Sequence, residues 1–207
     1  MTTLLSLEEC ADILVGGGVV AVPTDTVYGL AASLRQPEAL ANVFRLKDRP
    51  RDVSLPIMVA DFGTITGLGI ALDERALAVA DAFWPGALTI VVPVPSDLAA
   101  LVGANGTLGF RIPDREDLRS LLRRTGPLAV TSANLHGEPP CTTAESVVTA
   151  FRDRGLVGVL DGGACGGVVS TVVSLDGPWR VLRHGGVSTE QLADILGPSP
   201  VIDQPEN

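Results

Sequence analysis

The sequence predicts an α/β fold, a single domain built on one mixed, twisted β-sheet with flanking helices. Three observations predict it. Short apolar runs of strand length, such as Val19–Val22 and Leu128–Val130, alternate with segments of helical periodicity. The Gly177-Pro178 turn between two strand-like runs and the short connections around Pro85 require antiparallel neighbours, so the succession is not a clean parallel one. The composition suits many short elements around an aliphatic core: of 207 residues 46% are hydrophobic and only 4% aromatic, with 23 glycines and 15 prolines as punctuation.

Ser6-Leu7-Glu8-Glu9 has the pattern of a capping box and opens a short helix that ends at Gly16-Gly17-Gly18. Val19–Val22 follows as a buried strand, and Thr24, Asp25 and Thr26 crowd its end. Such a cluster between two apolar runs either caps a turn or faces a cavity. Leu30–Leu34 reads as a second strand. Pro37 starts a helix to about Leu46, with Leu40, Val43 and Phe44 on one face. Pro50 then biases Arg49 away from helix, and in extended chain Lys47, Arg49 and Arg51 share one edge. A solvated helix C-terminus would favour the same cations.

Leu55–Ala60 reads as a strand, Asp73–Trp84 as a helix stopped by Pro85-Gly86, and Ala87–Val94 as a strand whose prolines imply an edge or an early end. In the strand Gly106–Pro113, Arg111 would be buried unless it faces a cleft or pairs with Asp114 or Asp117. A helix runs from Asp114 to about Arg124. Leu128–Val130 is again a buried strand ending in polar residues, Thr131-Ser132-Ala133-Asn134. Thr142-Thr143-Ala144-Glu145 reads as a second capping box, for a helix from about Thr143 to Asp153 whose free N–H groups can receive a phosphate.

Val157–Gly163 runs as a strand into the glycine-rich loop Gly162–Gly167, which lacks the P-loop lysine and the dinucleotide spacing. Ser170–Leu175 and Trp179–Arg183 form a hairpin, with Val181 and Arg183 on one face and Leu182 on the other. Ser188-Thr189-Glu190-Gln191 caps a last helix to Leu196. The domain is expected over residues 1–197 and a loose, proline-rich tail over 198–207.

The net charge of −9, from 24 acids against 15 bases, argues against general nucleic-acid binding through a basic surface, and leaves room for a local basic pocket. Cys10, Cys141 and Cys165 are odd in number and far apart, which fits a reducing cytoplasm and no disulfide framework. No signal-peptide pattern and no apolar run of about 18 residues is present, so neither export nor a membrane span is expected. His136 and His184 are too few for a histidine metal centre, and nothing orients Cys141 and His136 as a nucleophile pair. Asp25 and Asp161 are turn residues or, through water, magnesium neighbours. The polar groups at strand ends are Thr24, Thr26, Lys47, Arg49, Arg111, Ser132, Asn134, Ser170 and Arg183. Several cations with hydroxyls and an amide suit a substrate carrying more than one anionic group.

Five segments in order carry a resemblance across nearly the whole chain: Pro23-Thr24-Asp25-Thr26-Val27-Tyr28-Gly29-Leu30, Lys47-Asp48-Arg49-Pro50, Trp84-Pro85-Gly86-Ala87-Leu88-Thr89, Ser132-Ala133-Asn134 and Ser170-Thr171-Val172-Val173. Together they resemble the YrdC-like threonylcarbamoyl-AMP synthases. The resemblance implies a single YrdC-like domain around a large concave cleft. It also implies a reaction of L-threonine, bicarbonate or CO2, and ATP with Mg2+, giving threonylcarbamoyl-AMP and pyrophosphate. Transferase proteins would then pass the group to an adenosine of tRNA, with tRNA an indirect partner of this chain. By position, Thr26, Arg111 and Ser170 resemble threonine contacts, and Arg49, Thr107, Thr142 and Arg183 resemble ATP contacts. Ser132 and Asn134 lie where the two substrates meet. Lys47 and Arg49 resemble the catalytic pair and are expected at the cleft surface, Lys47 facing the phosphates. Val53 and Met58 stand where some members carry asparagine and histidine. The chain ends soon after the domain, so the C-terminal domain of longer members is not expected. The alternatives are an RNA-binding or ribosome-maturation module on the same fold, and a carbamoyl-adenylate module of the hydrogenase-maturation kind. The second occurs in longer chains with zinc-finger cysteines.

Overall fold

A computed structural model describes residues 2–48, 54–135 and 137–198. In chain order its strands are β1 (Thr3–Leu5), β2 (Val20–Val22), β3 (Gly29–Ser33), β4 (Ile57–Met58), β5 (Leu88–Pro93), β6 (Thr107–Arg111), β7 (Leu128–Ser132), β8 (Gly158–Leu160), β9 (Thr171–Ser174) and β10 (Arg180–Arg183). The helices are α1 (Leu7–Val15), α2 (Pro37–Lys47), α3 (Phe62–Gly67), α4 (Glu74–Phe83), α5 (Ser96–Leu101), α6 (Glu116–Thr125), α7 (Ala144–Ala150) and α8 (Thr189–Leu196).

The strands form one sheet in the order β1-β8-β2-β3-β7-β4-β6-β5-β9-β10. It is mixed, as expected. β8 runs parallel to β1 and β2, β4 to β6, and β5 to β9, while the remaining pairs are antiparallel. Pro93 is the last residue of β5, whose place between β6 and β9 makes it an internal strand with an early end. The hairpin β9–β10 turns at Gly177, whose φ of +81° suits glycine.

The helix ends follow their local chemistry. Ser6 caps α1: its hydroxyl accepts from the Glu9 N–H at 3.3 Å and the Glu9 carboxylate accepts from the Ser6 N–H at 2.8 Å. Asp73 and Ser188 cap α4 and α8 as their positions suggested. The second capping box is shifted by one residue from the expected Thr142 and Glu145, because Thr143 is the N-cap and Ser146 its partner. That box occupies the N–H groups of Thr143 and Ser146, and α7 ends at Ala150, short of the expected Asp153.

The two faces of the sheet are covered unequally, and this positions the cavity. One face, with Ile57, Ile90, Leu108, Phe110, Ala129 and Val173, belongs to the large apolar cluster that takes in α2, α4 and α8. The other face is covered at one end by α1 and α6, whose Cys10, Leu14, Leu118, Leu121 and Leu122 pack on Val20, Val22, Leu128 and Val130. Beyond Met58 and Val130 this cover stops, and the rest of that face opens as a hollow.

Candidate active site

The hollow is a cavity of about 500 Å³. Strand alternation builds its floor, since residues two apart face the same side. Thr107, Gly109 and Arg111 come from β6, Ser54, Pro56 and Met58 from β4 and the approach to it, Thr89 and Val91 from β5, and Val130 and Ser132 from β7. Gly109 keeps the floor low, because a Cβ there would stand 2.8 Å from the Thr89 methyl.

Thr24 and Thr26 form one wall. The Thr24 hydroxyl closes the turn after β2, accepting from the N–H groups of Thr26 (3.0 Å) and Val27 (3.1 Å) and donating to Val27 O at 2.7 Å. The Thr24 and Thr26 hydroxyls lie 2.8 Å apart. Thr26 Oγ1 accepts from Arg111 Nη1 at 3.1 Å.

Arg111 is only 3% exposed, at the end of β6. Its partner is Asp25, at 2.7 Å, and not the neighbouring Asp114 or Asp117; Asp117 pairs with Arg115. Nε donates to Gly86 O at 2.9 Å, in the tight turn after Trp84-Pro85. Burial pushes the Arg111 guanidinium down from its ordinary range, and the Asp25 carboxylate pulls the other way. The ion pair engages Asp25 through Oδ1, and Asp161 accepts from the Gly163 N–H in its turn.

On the far wall, Arg183 Nε and Nη2 donate to Ser170 O at 3.1 and 2.9 Å, and Nη2 also to Ser170 Oγ at 2.9 Å. Ser170 Oγ lies 3.1 Å from Thr89 Oγ1. A register shift between Val181 and Arg183 breaks the expected alternation, so Leu182 and Arg183 both line the cavity. A strap after β8 closes the side near Thr26: Gly167 N–H donates to Thr26 O at 2.7 Å and the Tyr28 hydroxyl donates to Gly163 O at 2.9 Å.

Lys47 corrects an expectation. It is the last helical residue of α2, before Asp48 in the left-handed region, and only 3% exposed, so it is neither extended chain nor cleft surface. Its ammonium donates to Ser132 O, to Asn134 O at 2.8 Å and to Asn134 Oδ1 at 3.0 Å, and Ser132 Oγ donates to Asn134 Oδ1 at 2.6 Å. The cation holds the turn after β7, and the described cavity wall meets that turn at Ser132. Asn134 and Thr142 lie outside that wall, Asn134 because its amide faces back to Leu135 O and Glu138 O. Thr26, Thr107, Arg111, Ser132, Ser170 and Arg183 are brought together around one hollow. Arg49, Arg51, Val53 and His136 lie outside the described residues. Gly109, Val169 and Leu182 are wall residues that motif reading passed over, while Met58, at the position where some members carry histidine, and Thr89, at the end of a quoted segment, also line the wall. The alternation along 54–58 and 107–111 was the available signal for Met58 and Gly109.

The family model for Sua5, YciO and YrdC proteins, described as "Telomere recombination", matches residues 12–185. The chain belongs to the Sua5/YciO/YrdC family. It is 39% identical over 197 residues to the threonylcarbamoyl-AMP synthase of Bacillus subtilis, covering 93% of this chain and 57% of that protein. A threonylcarbamoyl-AMP synthase of Serratia proteamaculans is 35% identical over 144 residues, 68% of this chain and 76% of that one. The crystal structure of Pyrococcus abyssi Sua5 complexed with L-threonine superposes with a TM-score of 0.87 at 32% identity, over 95% of this chain and 60% of that one. The chain thus spans little more than half the length of the longer Sua5/YciO/YrdC relatives and most of the length of a short one. Among the described residues no helix is long and apolar enough to cross a membrane.

Proposed function

We propose that this chain is a nucleotidyltransferase of the cytoplasm that forms L-threonylcarbamoyl-AMP and pyrophosphate from L-threonine, bicarbonate or CO2, and ATP. The observation that carries the reading is the joint one. A single cavity gathers Arg111, Arg183 and a ring of hydroxyls in an acidic chain, and relatives spanning the same domain bear the synthase name.

The chemistry suits that wall. The threonine amine takes up bicarbonate with loss of water and becomes a carbamate. A carbamate oxygen then attacks the α-phosphorus of ATP, and the bond to the bridging oxygen breaks to release pyrophosphate. Both reactants are anions and repel, so the chain must supply positive charge and orientation. Arg111 and Thr26 meet the amino acid, with Ser170 beside them. Arg183 and Thr107 meet the nucleotide, with Arg49 as its further cation. Ser132 stands between the substrates, on the turn that Lys47 and Asn134 hold. Fixed cations around developing charge act strongly in a water-poor hollow, and orientation alone is worth up to about 7–11 kcal/mol.

Magnesium bound with the triphosphate would neutralise phosphate charge, held mainly by phosphate oxygens and waters. Asp25 Oδ1 is engaged by Arg111. The product is a mixed anhydride, which a transferase partner consumes by acylating an adenosine amine of tRNA. Chromatography of nucleotides after mixing protein, Mg-ATP, threonine and bicarbonate tests the reading. Pyrophosphate and a new adenylate are expected only when threonine and bicarbonate are both present. ATP consumption that ignores threonine would sink it.

A further inference from the structure

We infer that Asp25 is a positioning residue for the amino-acid substrate, acting through Arg111 to aim its guanidinium at an α-carboxylate in the cavity. The inference rests on the threonine reading above.

The geometry carries it. Arg111 leaves the end of β6 and reaches the cavity almost wholly buried, and three fixed acceptors surround it. Gly86 O takes the Nε proton, Thr26 Oγ1 takes one from Nη1 at 3.1 Å and Asp25 Oδ1 takes one from Nη2 at 2.7 Å. A guanidinium has five N–H donors in one plane, so these contacts fix the plane and leave one proton each on Nη1 and Nη2. Those two are the donors of a fork suited to a carboxylate. Gly86 O and Thr26 Oγ1 are neutral acceptors. Among the described residues Asp25 supplies the charge, and it keeps a buried cation paired before substrate arrives.

Asp25 is itself held in place. It lies in the turn closed by the Thr24 hydroxyl and its side chain is 16% exposed. The strap crosses it closely: a Cβ at Gly166 would come 3.2 Å from Asp25 O, and the next residue, Gly167, bonds Thr26 O. Turn, strap and ion pair together fix the direction of the Arg111 fork. A carboxylate-bearing substrate docks on a fork already aimed; one lacking the carboxylate gains nothing from it.

The test compares Asp25→Asn and Asp25→Glu with the wild type in threonine-dependent pyrophosphate release. ATP affinity, melting temperature and affinity for threoninamide are measured alongside. Asp25→Asn is expected to raise the KM for threonine about tenfold or more, through loss of one charge-assisted contact on the fork, while ATP affinity stays within about twofold. Threoninamide affinity should change little, so the preference for threonine over its amide collapses. Asp25→Glu keeps the charge and should recover part of the preference. A threonine KM that stays at the wild-type value in Asp25→Asn overturns the inference and leaves the synthase reading intact. Equal loss of threonine, threoninamide and ATP binding, or failure of both variants to fold, assigns Asp25 a purely structural role and also overturns it. A wild-type protein that ignores threonine overturns both readings at once.

Discussion

At the scale of single residues, two buried cations do different work. Arg111 points its charge into the cavity, and its burial is tolerable because Asp25 answers it. Lys47 spends its charge inside the protein, on the oxygens of the turn from Ser132 to Asn134. Replacing Lys47 with alanine would leave those acceptors facing an apolar hole, a cost of about 1–3 kcal/mol for unsatisfied buried polar groups. It would also release Ser132 from its place in the wall. Lys47→Ala is therefore expected to lower the denaturant midpoint as well as the rate of pyrophosphate release. An unchanged midpoint with lost activity would mean that the lysine acts on the phosphates alone. The partners of both cations lie far away in the chain: Asp25 precedes Arg111 by 86 positions and Ser132 follows Lys47 by 85. Reading the sequence shows that Arg111 needs an anion, and local candidates at Asp114 and Asp117 are the natural choice. Only the pairing of strands brings Asp25 there.

At the scale of elements, the strongest local signals translated into structure. The apolar run ending at Val22, the Ser6 cap and the proline that starts α2 all appear where their chemistry asks for them. The elements not foreseen are β1, α3 and α5, which are three, six and six residues long. Too few residues carry a period in such pieces; β1 exists because β8 offers a parallel edge, and its Thr3 and Leu4 are exposed. The floor of the site shows the same division. Alternation at 107, 109 and 111 is visible in the sequence, but that Gly109 must stay bare depends on the methyl of Thr89 across the ladder. Gly109→Val is expected to raise the floor into the cavity and to force Thr89 aside, at about 1–3 kcal/mol for overpacking. Substrate binding should fall more than stability. Calorimetric titration with threonine, set beside a melting curve, reads both quantities. Wild-type threonine affinity in a folded Gly109→Val protein would show that the substrate does not reach that floor.

For the whole molecule, the unequal cover of the sheet and the sign of the surface charge act together. The face left open by α1 and α6 holds Arg111 and Arg183, while the chain as a whole carries −9. A polyanionic nucleotide approaching from solution meets net repulsion at long range and attraction only at the cavity. Salt should separate these two ranges. The Debye length shrinks from about 30 Å at 0.01 M to about 8 Å at 0.15 M, which removes the long-range repulsion and leaves contacts inside a half-enclosed hollow less affected. The association rate for ATP, followed by stopped-flow, is therefore expected to rise across that interval, with dissociation changing less. A basic nucleic-acid-binding surface would show the opposite slope, because attraction would then be what salt screens. An association rate that falls steeply with salt would mean that the field of the cavity, not the net charge, governs the approach.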